Sequence, residues 1–203
     1  MPYVELHCHS HYSLLDGASS PAALLDRAAE LGYTALALTD HDGLYGAVPF
    51  YLAARERGIH PIIGAEVTLA DGTHLVLLAR DRQGYANLCG LLSQAGLAGS
   101  KRRPLLPWEA LAGRAQGLIA LSGCERGALP RLLLEDRRRQ AQELAGRCQE
   151  IFGRGMFYVE LQHHLLPDDS RRNYELAHLA RHLGLPIVAT HNVHYATQSR
   201  HRL

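Results

Sequence analysis

Short apolar runs alternate with helix-like stretches along the chain, and this alternation limits the fold more than any other feature. The runs expected to be strands are Tyr3–His9, Ala35–Thr39, Pro61–Val67, His74–Arg80, Leu118–Ser122, Phe157–Gln162 and Ile187–Thr190. Several are apolar throughout, as strands buried on both faces are. Between them lie helix patterns with recognisable ends. Pro21 opens one after Ser19 and Ser20, and Gly32 stops it. Ala47–Arg57 is closed by Gly58; Gly84–Ala95, Leu129–Leu134 and Asp136–Phe152 follow; Asp168–Leu183 ends at Gly184 and Pro186. Alternating strands and helices imply an α/β fold, a mainly parallel sheet with helices outside it, either a barrel or a doubly wound sheet.

One connection departs from the pattern. Only a short stretch containing Asp71-Gly72 separates Val67 from His74. An Asp-Gly pair between apolar runs is a hairpin signal, so the strand starting at His74 is expected to run antiparallel to the one before it. Segment Gly96–Trp108, with Lys101, Arg102, Arg103 and two prolines, reads as an irregular surface loop.

With 203 residues, 47% of them hydrophobic, the chain can bury one sizeable core, and a single domain over residues 1–203 is expected. Twenty-one Lys and Arg against twenty Asp and Glu leave +1, which excludes a disordered polyelectrolyte and gives no support for nucleic-acid binding by bulk charge. No run is long and apolar enough to span a membrane, and Met1–Leu6 does not read as a signal peptide. Cys8, Cys89, Cys124 and Cys148 are scattered and form no CxxC pair, so a reduced, cytoplasmic protein is expected.

The 13 histidines decide the chemistry. In parallel α/β folds functional side chains gather at the C-terminal strand ends. The first strand ends in His7-Cys8-His9, where two-residue spacing turns both imidazoles to one face. Asp16 lies in the next loop. Other ends carry Asp40-His41-Asp42, Glu66, Ser122-Gly123-Cys124, Gln162-His163-His164 and His191-Asn192-Val193-His194. His74 begins its strand, and only the expected hairpin brings it to the same rim as Glu66. Singly, each has an ordinary explanation: a polar turn, a helix cap, a strand-end charge, a small buried thiol. His163 and His164 read as loop residues, and His60, His178, His182 and His201 as surface ones. Together at one rim, the candidates indicate a polynuclear centre. Imidazole, carboxylate and thiol donors suit zinc, manganese or iron, not calcium. Two such ions can clamp both oxygens of a phosphoryl displacement, so phosphoester hydrolysis is the reaction this set serves best.

The motifs HCH, LLDGA, LTDHDGLYGA, IIGAE, HLVLLA, LSGC and VATHNVHYA, in that order, resemble the polymerase-and-histidinol-phosphatase (PHP) domain. The chain is most similar to the version at the N-terminus of bacterial C-family polymerases, the DNA polymerase III alpha subunits. The segments GAEVTLADGTHLVLLA and HNVHYATQSRHRL look most like the error-prone members. The resemblance implies a distorted seven-stranded barrel with metals at the strand C-termini. It implies His7, His9, Asp16, His41, Glu66, His74, Cys124, Asn192 and His194 as the metal positions for two or three divalent ions. Asn192 departs from the acid expected there, and a neutral amide is a poorer ligand for a divalent cation. His191 is expected to face away from Asn192.

The implied activity is a 3′–5′ exonuclease on single-stranded DNA or a phosphomonoesterase on a small substrate. Asp40 or His194 would relay protons and Arg126 would steady the phosphate. The implied partners are polymerase domains or replication proteins; the polymerase catalytic regions lie outside this sequence, so the domain is either excised or free-standing and carries no polymerase activity. Two other readings stand beside the enzyme: a catalytically weakened metal-binding domain that supports a polymerase, favoured by Asn192, and a nucleic-acid module using Lys101–Arg103 and Arg137–Arg139. The latter arginines lie near Glu135, Asp136 and Glu143, as on a solvated helix face.

Overall fold

The computed structural model describes residues 3–99 and 106–201. In chain order the elements are α1 (Pro21–Glu30), β1 (Ala35–Leu38), α2 (Ala47–Glu56), β2 (His60–Thr68), β3 (His74–Ala79), α3 (Arg82–Ala98), α4 (Trp108–Ala112), β4 (Leu118–Leu121), α5 (Ala128–Leu134), α6 (Arg138–Phe152), β5 (Phe157–Leu161), α7 (Asp169–Leu183) and β6 (Ile187–Ala189), then a short 3-10 turn at Gln198–Arg200. The strands form one curled sheet in the order β1-β2-β3-β4-β5-β6. The fold is α/β, as expected, but among the described residues six strands form the sheet where seven were expected.

The missing strand is the segment around His7-Cys8-His9. It lies between the sheet's two ends, touching β1 through Glu5 and Leu36 and the chain after β6 through Cys8 and Val193. On the Val193 side its backbone bonds are regular: His9 N–H donates to Val193 O and Val193 N–H to His7 O. On the β1 side Ala37 N–H donates to Glu5 O and Thr39 N–H to Cys8 O. Two steps along Ala37–Thr39 thus oppose three along Glu5–Cys8, an extra residue of the kind that breaks a ladder and re-aims side chains. The amides it frees are taken by side chains: His7 N–H donates to Glu5 Oε1 at 2.9 Å and Cys8 N–H to Thr39 Oγ1 at 2.9 Å.

The expected hairpin is present. β3 pairs antiparallel with both β2 and β4, with Thr68 opposite His74, while the other pairings are parallel. The start of β3 therefore shares a rim with the ends of its neighbours.

Helix ends follow local chemistry. Ser20 accepts from Ala23 N–H and Pro21 occupies the first turn of α1. Asp81 accepts from Gly84 N–H at the start of α3. Within the expected loop Gly96–Trp108, the start instead continues α3 to Ala98, and buried Leu106 bridges to Leu69. Lys101–Arg103 lie outside the described residues. The main core joins Leu77, Leu88, Leu91, Leu118, Leu133, Phe157 and Val159 on the outer side of the sheet, and a second cluster packs α1 and α2 on β1 through Leu25, Leu36 and Phe50. Among the described residues no helix is long and apolar enough to cross a membrane.

Candidate metal centre

Glu66, near the end of β2, is 1% exposed and stands at the middle of the cluster. Two-residue alternation along the β2–β3 hairpin turns Glu66 and His74 to the same face, and His74 Nδ1 lies 3.1 Å from Glu66 Oε1. His41 Nδ1 approaches Oε2 at 3.0 Å, and Cys124 Sγ donates to Oε1 at 3.3 Å. His7 Nε2 and His9 Nε2 stand 3.5 Å from Oε1 and Oε2 respectively. Asp16, from the loop after His9, holds His41 Nε2 at 2.7 Å and His194 Nδ1 at 3.2 Å. The His9 ring stacks on His41 at 4.4 Å and on His194 at 5.0 Å between centroids.

Two glycines permit this approach. A Cβ on Gly17 would lie 1.9 Å from Ser10 O, so only glycine lets the loop bearing Asp16 fold back on the His9 end. Gly123, at φ +86, passes close to His74 O and delivers Cys124 to the rim.

Three overlapping groups have donors spaced to hold a cation: His7, His9 and Glu66; His9, Asp16 and His41; His41, Glu66 and His74. The donor set fits a divalent metal on two grounds. First, ligands about 2.1 Å from a tetrahedral ion stand roughly 3.4 Å apart, close to the 3.0–3.5 Å separations of the imidazole nitrogens from Glu66. Second, His7 Nε2, His9 Nε2 and Asn192 Oδ1 are buried without a hydrogen-bond partner, an arrangement that costs stability unless something coordinates them. Glu5, Asp40, Glu66 and Glu160 are also buried carboxylates, while the buried arginine, Arg172, is committed to Asp169 at 2.6 Å. Cationic charge at the centre offsets them.

Protons carry that charge in the metal-free protein. Burial opposes a charged His7, but Glu160 and Glu66 outweigh it and push its pKa up to about 10. For His41 burial is likewise overcome by Asp16 and Glu66, to about 9. His9 goes the other way: burial and the neighbouring His7 hold it well below the usual value. Burial raises Glu66, yet His7, His41 and His74 hold it well below the usual carboxylate range. Hydrogen bonds from His194 and His41 do the same for Asp16. Burial raises the Cys124 thiol, and the Glu66 charge adds to it.

The cluster opens into a cavity of about 610 Å³ whose lining includes Asp16, Arg126, His164, Asn192, His194 and Arg200. Asn192 sits at φ +46, a left-handed conformation that Asn and Asp tolerate better than most residues. His191 turns to Tyr3 and Glu5, away from Glu66. Arg126 is exposed on the cavity wall. Asp40 accepts from Ser10 N–H, Ser10 Oγ and Ser13 Oγ at 2.7–2.9 Å and is not among the residues lining that cavity. Its carboxylate organises the loop after His9. His163 is exposed, while His164 lines the cavity and its Nε2–H donates to His191 O at 2.8 Å. Arg137, Arg138 and Arg139 are engaged by Glu135, Glu175 and Glu143 on the outer helices.

Glu160 is the important residue that pattern reading passes over. It is 1% exposed on β5, and His7 Nδ1 lies 2.8 Å from its Oε1. The signal was an acid inside the apolar run FYVEL, since a carboxylate in a buried strand needs a partner.

A curled α/β sheet with histidines and carboxylates caged at one rim defines a PHP domain, and the pattern of the PHP domain family matches residues 5–164. The chain belongs to that family. It is 42% identical over 212 residues to the DNA polymerase III subunit alpha of Treponema pallidum (strain Nichols), covering 98% of this chain and 18% of that protein. It is 44% identical over 214 residues to the error-prone DNA polymerase of Symbiobacterium thermophilum, covering 98% and 20%. The chain thus spans about a fifth of the length of these relatives. Among solved structures, a protein of Bifidobacterium adolescentis designated a metal-dependent phosphoesterase aligns over 96% of this chain and 89% of its own, with a TM-score of 0.66 and 16% identity. A lesion-specific endonuclease from Pyrococcus furiosus aligns over 98% and 50%, with a TM-score of 0.60 and 16% identity. These two share its fold.

Proposed function

We propose that residues 1–203 form one metal-dependent phosphoesterase domain, acting in the cytoplasm on single-stranded DNA or a small phosphoester and associated with a bacterial error-prone polymerase subunit or its replication partners. The observation that carries this reading is the convergence of His7, His9, His41, His74 and Cys124 on the single buried carboxylate of Glu66, beside a cavity large enough for a phosphoester. Two or three zinc, manganese or iron ions held there would supply Lewis acidity and an activated water at neutral pH. Glu66 would bridge the ions. Asp16, Asn192 and His194 would complete the outer side, and Cys124 the side under β4. Arg126 would meet phosphate charge from the cavity wall. With Nδ1 beside Asp16 as its metal-facing atom, His194 would keep Nε2 free to pass a proton to a leaving oxygen. Asp40 would hold the loop rather than move protons.

Zinc- or manganese-loaded protein should hydrolyse single-stranded DNA or a chromogenic phosphate ester, stop on chelation, and lose both metal and activity in His9→Ala. Absence of hydrolysis on both substrates, with His9→Ala unchanged in metal content, defeats the reading.

The second reading, a metal-holding support for a polymerase, is favoured by Asn192. An amide stands where an acid is expected, and its buried Oδ1 has no partner. Under that reading the protein binds metal but does not turn over, and Asn192→Asp restores hydrolysis.

A further inference from the structure

We propose that Glu160 and Ser13 are positioning residues: they fix both histidines of the His7-Cys8-His9 pair with the proton on Nδ1, leaving Nε2 as the coordinating atom. The inference rests on the metal-centre reading above and names what orients two of its ligands.

Hydrogen-bond arithmetic fixes both tautomers. An ionised carboxylate only accepts, and a hydroxyl gives one proton and accepts at two lone pairs. His7 Nδ1 lies 2.8 Å from Glu160 Oε1, so that nitrogen donates. Glu160 is held in turn by Gln162 Nε2 at 2.8 Å and by the Thr190 hydroxyl; Gln162 Nε2 also stands 3.2 Å from His7 Nδ1, but its two protons go to Glu160 Oε1 and to Thr190 Oγ1 at 3.0 Å, so His7 Nδ1 receives none. Ser13 does the same for His9 at one remove. Its hydroxyl donates to Asp40 Oδ1 at 2.7 Å, which uses its only proton. Its lone pairs then receive His41 N–H at 3.1 Å and His9 Nδ1 at 3.2 Å. His9 must therefore carry its proton on Nδ1. In both rings the remaining nitrogen, Nε2, is buried, unpartnered and 3.5 Å from a different oxygen of Glu66. Buried acids thus stand behind both rings, one in direct contact and one through a hydroxyl. Such partners orient a ligating imidazole and raise its basicity, and their loss typically costs 10–100-fold in metal affinity.

The test is zinc affinity by competition with a chromophoric chelator. Ser13→Ala and Glu160→Gln should each weaken binding by roughly 10–100-fold. Ser13→Thr, which keeps the hydroxyl, should stay within a few-fold of the parent. Ser10→Ala removes a bond to the same Asp40 but touches neither histidine, so it should bind zinc like the parent protein and separates positioning from a general loosening of the loop. Nitrogen-15 spectra of the zinc-loaded parent give a readout that needs no variant to fold: both rings should show a protonated Nδ1 and a metal-bound Nε2. Coordination through Nδ1 in either ring overturns the proposal. So does a Ser13→Ala loss no greater than that of Ser10→Ala together with parent-like Glu160→Gln. If the parent binds no zinc, the metal-centre reading falls as well; if it binds and the variants match it, the positioning inference alone falls.

Discussion

Metal uptake by this centre should be coupled to proton release, and the geometry sets how many protons leave. His41 stands between two carboxylates, with Nε2 2.7 Å from Asp16 and Nδ1 3.0 Å from Glu66. Neither acid can donate, so without metal the ring holds both protons, up to a pKa of about 9. His7 lies between Glu160 and Glu66 and stays charged up to about 10. His9 is already neutral, because burial and the charge of His7 hold it down. A coordinating imidazole must be free of the proton at the coordinating nitrogen. Filling the centre at neutral pH therefore displaces about two protons, one from His7 and one from His41, and a third if Cys124 binds as thiolate. Two protons mean that the overall affinity rises roughly 100-fold for each unit of pH between about 6.5 and 8. Zinc competition across that range, with calorimetry in two buffers of different ionisation enthalpy, counts the protons directly. Cys124→Ser should lower the count by one if the thiolate is a ligand. Release of less than about one proton per filled centre would refute the reasoning that protons hold the place of metal beside Glu66.

Other outcomes follow from the same geometry. The metal-free fold should lose stability as pH rises: His7 and His41 have folded-state pKa values raised above the ordinary 6.5, so their contribution is complete below about 6.5 and is lost as pH passes through about 9 to 10, which melting temperatures against pH would record. Gly17→Ala puts a Cβ 1.9 Å from Ser10 O, and should cost about 1–3 kcal/mol in urea unfolding and release zinc by moving Asp16. Asn192→Asp should tighten zinc binding, since an anionic oxygen replaces an amide at a backbone conformation both residues tolerate; unchanged affinity would place Asn192 outside the centre.

Much of this arrangement was legible because it depends on short-range geometry. Two-residue spacing turns His7 and His9 to one face. The Asp71-Gly72 turn reverses β3 and so carries His74 to Glu66, a contact that follows from a hairpin eight residues long in separation. The extra residue between Glu5 and Cys8 was not legible. Nothing in an apolar run announces that its amides will be met by Glu5 and Thr39 side chains instead of a ladder, and so a seventh strand was expected. Glu160 and Ser13 carry no sequence signature of their roles for a related reason. Their meaning lies in what they touch: Glu160 reaches His7 across 153 positions of chain, and Ser13 matters only because Asp40 uses its proton. Asp40 stands out through its neighbours in Thr39-Asp40-His41-Asp42, but the sequence does not say that Ser10 and Ser13 occupy it.

The central claim is that cations are caged on Glu66. Diffraction from crystals of the zinc-loaded protein, measured at the zinc absorption edge, tests it without assuming a substrate. The account predicts anomalous peaks within about 2.0–2.3 Å of a Glu66 carboxylate oxygen and of Nε2 in His7 and His9. Peaks elsewhere on the surface, or none between those three side chains, would contradict it.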